Sequence, residues 1–307
     1  MDVLRTPDAR FADLPDFDFE PRYLDVPAAE DGSGRLRMAW VEAGPADGEP
    51  ILCLHGEPSW SYLYRKMLPL FAKAGFRAIA PDLVGFGRSD KPVDPALYTY
   101  ASHLGWLGAW IRGMGLEGIH LVCQDWGGLL GLRVLTADPD RFATVTVANT
   151  FLPTGTTEMP EAFLRWRDFS QNVPEFPAGH IVQRATVNEL PEAVVAAYDA
   201  PFPDERFKAG ARRFPVLVPA SADEPEAVAN LGAWAVLRTW RKPMLTAFSD
   251  SDPIMRGGDR VFRSQVPGCA GQPHVTIEGG GHFLQEDQGE ALAEAVLRFL
   301  AGVEGNR

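Results

Sequence analysis

The stretch LVCQDWGGLLG (121–131) interrupts an apolar run with a small residue, any residue, an acid, any residue and two glycines. That order suits a strained strand-to-helix turn that lifts one side chain out of a sheet to act as a nucleophile, most often a serine. Only small residues fit close to the apex of such a turn, a condition met by Cys123, Gly127 and Gly128. The apex here is Asp125. A carboxylate is already anionic at neutral pH and needs no base to attack. Attack on a saturated carbon would leave an ester on Asp125, and the hydrolysis of that ester would need a general base.

Three further apolar runs end in residues able to complete this chemistry. Residues 51–54 lead into His55-Gly56-Glu57-Pro58, residues 243–248 into Ser249-Asp250-Ser251-Asp252-Pro253, and residues 274–278 into Gly279-Gly280-Gly281-His282-Phe283. Nucleophile, acid and histidine thus follow one another in the chain order of the α/β-hydrolase fold. Of six histidines, His282 is the one in a glycine-rich loop after a strand, and it is the expected general base. His55 is expected to shape its turn, and His103, His120, His180 and His274 to be surface or packing residues. Asp250 and Asp252 compete for the acid that orients His282. Asp252 is preferred because the Asp-Pro step fixes the presented carboxylate, and the preceding strand ends in Asn149 rather than an acid. The backbone N–H groups of Glu57 and Trp126 are the expected oxyanion hole.

These residues need a sheet to hold them. Runs at 51–54, 77–80, 119–123, 144–148, 243–248 and 274–278 read as strands, mostly apolar throughout as in strands covered on both faces. Segments at 21–26 and 35–42 add an antiparallel edge, giving eight strands. Residues 60–74, 97–114, 127–137 and 288–302 read as helices, so the class is α/β with a mostly parallel sheet. The alternation stops after Asn149, and proline-separated amphipathic pieces follow. The expected organisation is therefore a main domain of residues 1–149 and 231–307 with a helical cap of 150–230 over the carboxyl edge of the sheet.

The chain has 307 residues and balances 29 Lys+Arg against 41 Asp+Glu, a net charge of −12. With no basic block it is a poor binder of nucleic acid. Its start has no apolar signal region and no stretch approaches the length of a membrane span. Cys53, Cys123 and Cys269 have no metal spacing, and the first two sit in strand-like runs as buried thiols. A cytoplasmic, monomeric protein with no membrane partner, metal or cofactor is expected, water being the only second reactant.

The segments HGEPSWSYLYRKM (55–67), DLVGFGRSDKPVD (82–94), QDWGGLLGL (124–132), YDAPFPD (198–204) and GGHFLQE (280–286) resemble the haloalkane dehalogenases. The likeness covers nearly the whole chain, from RTPDARF (5–11) onward. It is closest to the subfamily with two halide-binding tryptophans and an acid after the post-cap strand. It implies an α/β-hydrolase fold and hydrolysis of small apolar haloalkanes to alcohol, halide and proton, with Asp125 as nucleophile, His282 as base and Asp252 as acid. It also implies that Trp126 and the cap residue Trp166 bind halide through their indole N–H groups, and that Leu129, Phe163, Phe214, Pro215, Val218, Ile254 and Met255 line an apolar pocket. The nearest alternative is an epoxide hydrolase, which shares the Asp–His–acid set but uses two cap tyrosines. Tyr198 is the only tyrosine after residue 150. A fluoroacetate dehalogenase would carry an arginine beside the nucleophile, where this chain has Gln124 and Trp126. A non-catalytic protein of the same fold would have lost the nucleophile or the base.

Overall fold

A computed structural model describes residues 1–29 and 31–305. Eight strands form its main sheet: β1 Arg22–Pro27, β2 Arg35–Ala43, β3 Pro50–Leu54, β4 Arg77–Pro81, β5 Ile119–Gln124, β6 Phe142–Ala148, β7 Met244–Ser249 and β8 Val275–Ile277. They lie in the order β8-β7-β6-β5-β3-β4-β2-β1. The β2 strand runs antiparallel to both of its neighbours, and every other pairing is parallel. All expected strands are present. Strands β5 and β7 are buried along their full length, which is why they read as unbroken apolar runs rather than alternating ones.

Helices α1 Leu68–Lys73, α2 Tyr100–Gly113, α3 Trp126–Ala137, α8 Pro225–Leu237, α9 Asp259–Gln265 and α10 Leu284–Glu304 flank the sheet. The single helix expected at 60–74 is instead a 3-10 turn at Ser61–Tyr64 followed by α1, because Pro69 lacks the donor that an uninterrupted helix needs and fits the first turn of a new one. Helix α2 starts later than expected, at Tyr100, where the Thr99 hydroxyl caps the Ser102 N–H. Helix α10 begins four residues early and breaks its geometry at Gln288.

Between β6 and α8 lie α4 Glu161–Asn172, α5 Ala178–Arg184, α6 Glu192–Asp199 and α7 Ala209–Leu217. Helix α8 runs through the boundary expected at residue 230 and packs on α3, where Arg133 donates to both Glu226 and Asn230. Its packing groups it with the sheet-flanking helices. The four inserted helices are joined to the main body by a buried polar cluster. Arg65 grips Glu286 through two 2.7 Å bonds, and Tyr198 of α6 donates to the same carboxylate at 2.6 Å. Both charged side chains are 1% exposed, and Lys66 adds a second cation 3.3 Å from Glu286, so losing Glu286 would leave the Arg65 charge buried without a partner.

The turn after β5 is as crowded as its sequence implies. A Cβ at Gly127 would lie 2.0 Å from the Leu54 carbonyl oxygen, a backbone atom that cannot move aside. We expect Gly127→Ala to destabilise the fold by about 1–3 kcal/mol or more. Gly232→Ala on the exposed face of α8, where nothing lies within 4 Å, should be neutral or stabilising by up to about 1 kcal/mol. Denaturant unfolding of the two variants checks the contrast; equal effects would contradict it.

Candidate active site

The four loops that follow β3, β5, β7 and β8 meet at the carboxyl edge of the sheet. Asp125 stands between β5 and α3 with φ 50° and ψ −129°, a backbone conformation that a residue with a side chain rarely adopts. Its carbonyl accepts from the Thr150 hydroxyl at 2.7 Å and from the N–H groups of Gly128 and Leu129. A Cβ at Gly56 would lie 2.3 Å from Asp125 Oδ1, and one at Gly128 would lie 2.1 Å from Thr150 Oγ1. These glycines make room for the turn.

His282 Nε2 lies 3.4 Å from Asp125 Oδ2, and its Nδ1 lies 2.7 Å from Asp252 Oδ2. Asp252 is buried, and its other oxygen accepts the N–H groups of Ile254 at 2.7 Å and Met255 at 3.1 Å. Burial pushes its carboxyl pKa up, but the His282 charge, that hydrogen bond and the two backbone donors hold it below its ordinary value. Asp250 turns away to accept the Gly279 N–H and the Ser251 hydroxyl. Of the two acids, Asp252 is the one in contact with His282.

Burial opposes the charged form of His282, yet the carboxylates of Asp252 and Asp125 outweigh it and raise the pKa to about 10. Glu57 answers differently. Its N–H donates to Asp125 Oδ1 at 2.8 Å, while burial first and the Asp125 charge second hold its own side chain well above the usual carboxylate range. The Trp126 N–H, at the N-terminus of α3, makes no hydrogen bond to the Asp125 side chain.

Above the set is a cavity of about 1020 Å³ that contains Asp125, Glu57 and His282 in its wall. Leu129, Phe163, Pro215, Val218, Ile254 and Met255 line it, as do Trp126 and Trp166. Phe214, expected in the wall, lies behind it: the ring is fully buried and stacks on Trp126 with centroids 4.2 Å apart and planes 7° apart. It fixes the indole rather than touching the cavity. Among the described residues, the indole N–H groups of Trp40, Trp60, Trp106 and Trp234 each donate to the protein, whereas those of Trp110, Trp126, Trp166 and Trp240 have no hydrogen-bond partner, and of these four only Trp126 and Trp166 border the cavity. Two donors are therefore available at one apolar cavity.

Sequence reasoning missed the supports. Asn149, also at positive φ, donates to Ser249 Oγ, to the Gly281 carbonyl and to the His282 carbonyl, joining the ends of β6 and β7 to the histidine loop. Gln124 Nε2 donates to the His282 carbonyl at 3.0 Å. Their only signal was their place at strand ends beside the expected nucleophile and acid. Among the described residues no group of three or more His, Cys, Asp or Glu side chains is arranged to hold a metal ion, and no helix is long and apolar enough to cross a membrane.

An open α/β sheet with this order, and an acid–histidine–acid set at its carboxyl edge, defines the class. Residues 49–288 match the family model described as alpha/beta hydrolase fold. The chain is 52% identical over 300 residues to a haloalkane dehalogenase of Psychrobacter cryohalolentis, covering 98% of each, and 50% identical over 299 residues to one of Mycobacterium marinum, covering 97% of this chain and all of that one. The haloalkane dehalogenase of Paraglaciecola agarilytica, whose structure is described as tetrameric, superposes with a TM-score of 0.89 at 38% identity over 98% of both chains. This chain belongs to the haloalkane dehalogenase family.

The raised pKa of His282 carries a stability consequence. Its ordinary value is 6.5 and its folded value about 10, so the stabilisation is complete below about 6.5 and is lost as pH rises toward 10. Urea unfolding of wild type and His282→Gln across that interval should show the wild-type advantage shrinking by something on the order of a few kcal/mol. An advantage that grows with pH would contradict the charged state assigned to His282.

Proposed function

We propose that the chain hydrolyses carbon–halogen bonds of small apolar haloalkanes in two steps, through an alkyl ester on Asp125. The observation that carries this is the pairing of a base-linked carboxylate with two unengaged indole donors at one apolar cavity. In the first step an Asp125 oxygen displaces halide from carbon, and the departing halide takes the N–H groups of Trp126 and Trp166. The resting His282 is an imidazolium held between Asp125 and Asp252.

Esterification removes the negative charge of Asp125. It thereby removes one of the two groups that keep His282 protonated, and the imidazolium releases its proton to solvent. Neutral His282 then takes a proton from water as that water attacks the ester carbonyl. The oxyanion formed there is held by the Glu57 N–H, already on Asp125 Oδ1, and by the Trp126 N–H. Collapse of the intermediate, with the proton returned from His282, frees the alcohol. The regenerated Asp125 carboxyl yields its proton to His282, so each turnover gives one alcohol, one halide and one proton.

Asp252 keeps His282 in the tautomer with Nδ1 protonated and supports its charge. Two tryptophans at the cavity and an acid on the loop after the post-cap strand support membership of the corresponding subfamily. We take the cap to be residues 150–224, ending before α8. The working unit is a single chain, since every group named comes from one copy, and its place is the cytoplasm, where three buried, unpaired cysteines stay reduced. An epoxide hydrolase is disfavoured because Tyr198 is fully buried and spends its hydroxyl on Glu286, leaving no cap phenol to polarise an epoxide.

The enzyme should release bromide from 1-bromobutane and 1,2-dibromoethane and leave styrene oxide intact. Diol formation without halide release would overturn the assignment. In the His282→Ala variant the peptide bearing Asp125 should gain the mass of the alkyl group. Trp166→Ala should lower kcat/KM for 1-bromobutane at least about tenfold and weaken quenching of indole fluorescence by chloride. Unchanged values would remove Trp166 from the halide site.

A further inference from the structure

Hydrogen bonds pin the loop that carries His282 from two sides. On the sheet side, Gly279 N–H donates to Asp250 Oδ1 at 3.1 Å, and the Gly281 and His282 carbonyls accept from Asn149 Nδ2 at 2.9 and 3.2 Å. The other side reaches the cap. Gly281 N–H donates to Asp287 Oδ2 at 2.8 Å, and the same carboxylate accepts the Val187 N–H at 2.9 Å and the Asn188 N–H at 2.8 Å. The ring closes where His282 N–H donates 2.7 Å to the carbonyl of Ala185, the residue that ends α5. A Cβ on Gly281 would lie 2.4 Å from that carbonyl oxygen, so the histidine loop and the cap touch backbone to backbone.

The cap segment in this ring is stiff and borders the cavity. Gln183 donates to the Asn188 carbonyl at 3.1 Å and accepts the Leu190 N–H at 2.6 Å. Ala185, Thr186 and Val187 form part of the cavity wall. Asp287 stands in the first turn of α10, where an acid ordinarily serves the N–H groups of its own helix. Its oxygens serve two other segments instead. Three N–H groups converge on them, and a carboxylate can accept all three, whereas a carboxamide has a single acceptor oxygen.

We propose that Asp287 is a positioning residue that couples the cap to the general base, fixing His282 Nε2 relative to the Asp125 ester by holding Gly281 and the cap segment Val187–Asn188 on one carboxylate. This rests on the two-step dehalogenase mechanism above. That mechanism also makes the dependence lopsided. Halide displacement by Asp125 uses no base, whereas ester hydrolysis needs His282 and its water in register.

The test is rapid-quench turnover of 1-bromobutane by the full-length enzyme, reading bromide and the mass of the peptide bearing Asp125. In Asp287→Ala the first-turnover bromide rate should stay within about twofold of wild type, while ester hydrolysis slows at least about tenfold. The alkylated peptide then accumulates, and KM falls together with kcat. Asp287→Asn, nearly isosteric and retaining one acceptor, should slow the same step by less and keeps the test open where the alanine variant is unstable. Equal slowing of both steps, or no change in either, would reduce Asp287 to a structural residue and overturn the proposal. Absence of bromide release by wild type would remove the dehalogenase mechanism and the proposal with it, an outcome distinct from the first.

Discussion

Asp125 is held at φ 50° and ψ −129°, and much of the molecule can be understood as what it takes to keep it there. A residue in such a region costs on the order of 1–3 kcal/mol, so its surroundings must leave it no easier conformation. The loop after β3 contributes Gly56, without whose bare Cα the carboxylate would have no room. The helix after the turn contributes Gly127 and Gly128, where a Cβ would strike the Leu54 carbonyl and the Thr150 side chain, and Thr150 ties down the Asp125 carbonyl. The strained turn then aims one carboxylate into an apolar cavity. It also leaves Trp126 at the head of α3, where its indole borders that cavity and Phe214 of α7 holds the ring flat.

Charge is arranged around that carboxylate with equal economy. His282 sits between Asp125 and Asp252, so an imidazolium is the stable resting form despite its burial. In the proposed mechanism the same arrangement supplies a base only when it is wanted, because esterification of Asp125 removes one of the two supporting charges. Glu57 is pushed toward its neutral form by burial and by Asp125. Farther out, the Arg65–Glu286–Tyr198 cluster and the Asp287 carboxylate fasten the inserted helices to the same end of α10 that follows His282. Cavity wall and base are thereby built onto one short piece of chain.

The parts legible in the sequence are those set by local chemistry. Buried parallel strands announce themselves as apolar runs, and the crowded turn announces itself by Gly127 and Gly128. The Asp-Pro step singled out Asp252, which the structure places on His282 while Asp250 binds its own loop. Less legible were features that depend on what folds against them. Phe214 carries the right character for a pocket wall, but its place behind Trp126 follows from the packing of α7 on the main body. The expected boundary at residue 230 falls inside helix α8, whose attachment to α3 through Arg133 only the fold reveals. Asn149, Gln124 and Asp287 act through partners more than 90 residues away in the chain for their decisive bonds, or through loops whose register only the fold defines.

The central claim is that the oxygen delivered to carbon comes from Asp125 and not from water. A single turnover of 1-bromobutane in water enriched in the heavy oxygen isotope, with enzyme in excess, tests it directly. The account predicts butanol carrying ordinary oxygen and the heavy isotope in the Asp125 side chain, found by mass analysis of its peptide. Heavy oxygen in the butanol, with the Asp125 peptide unlabelled, would contradict it.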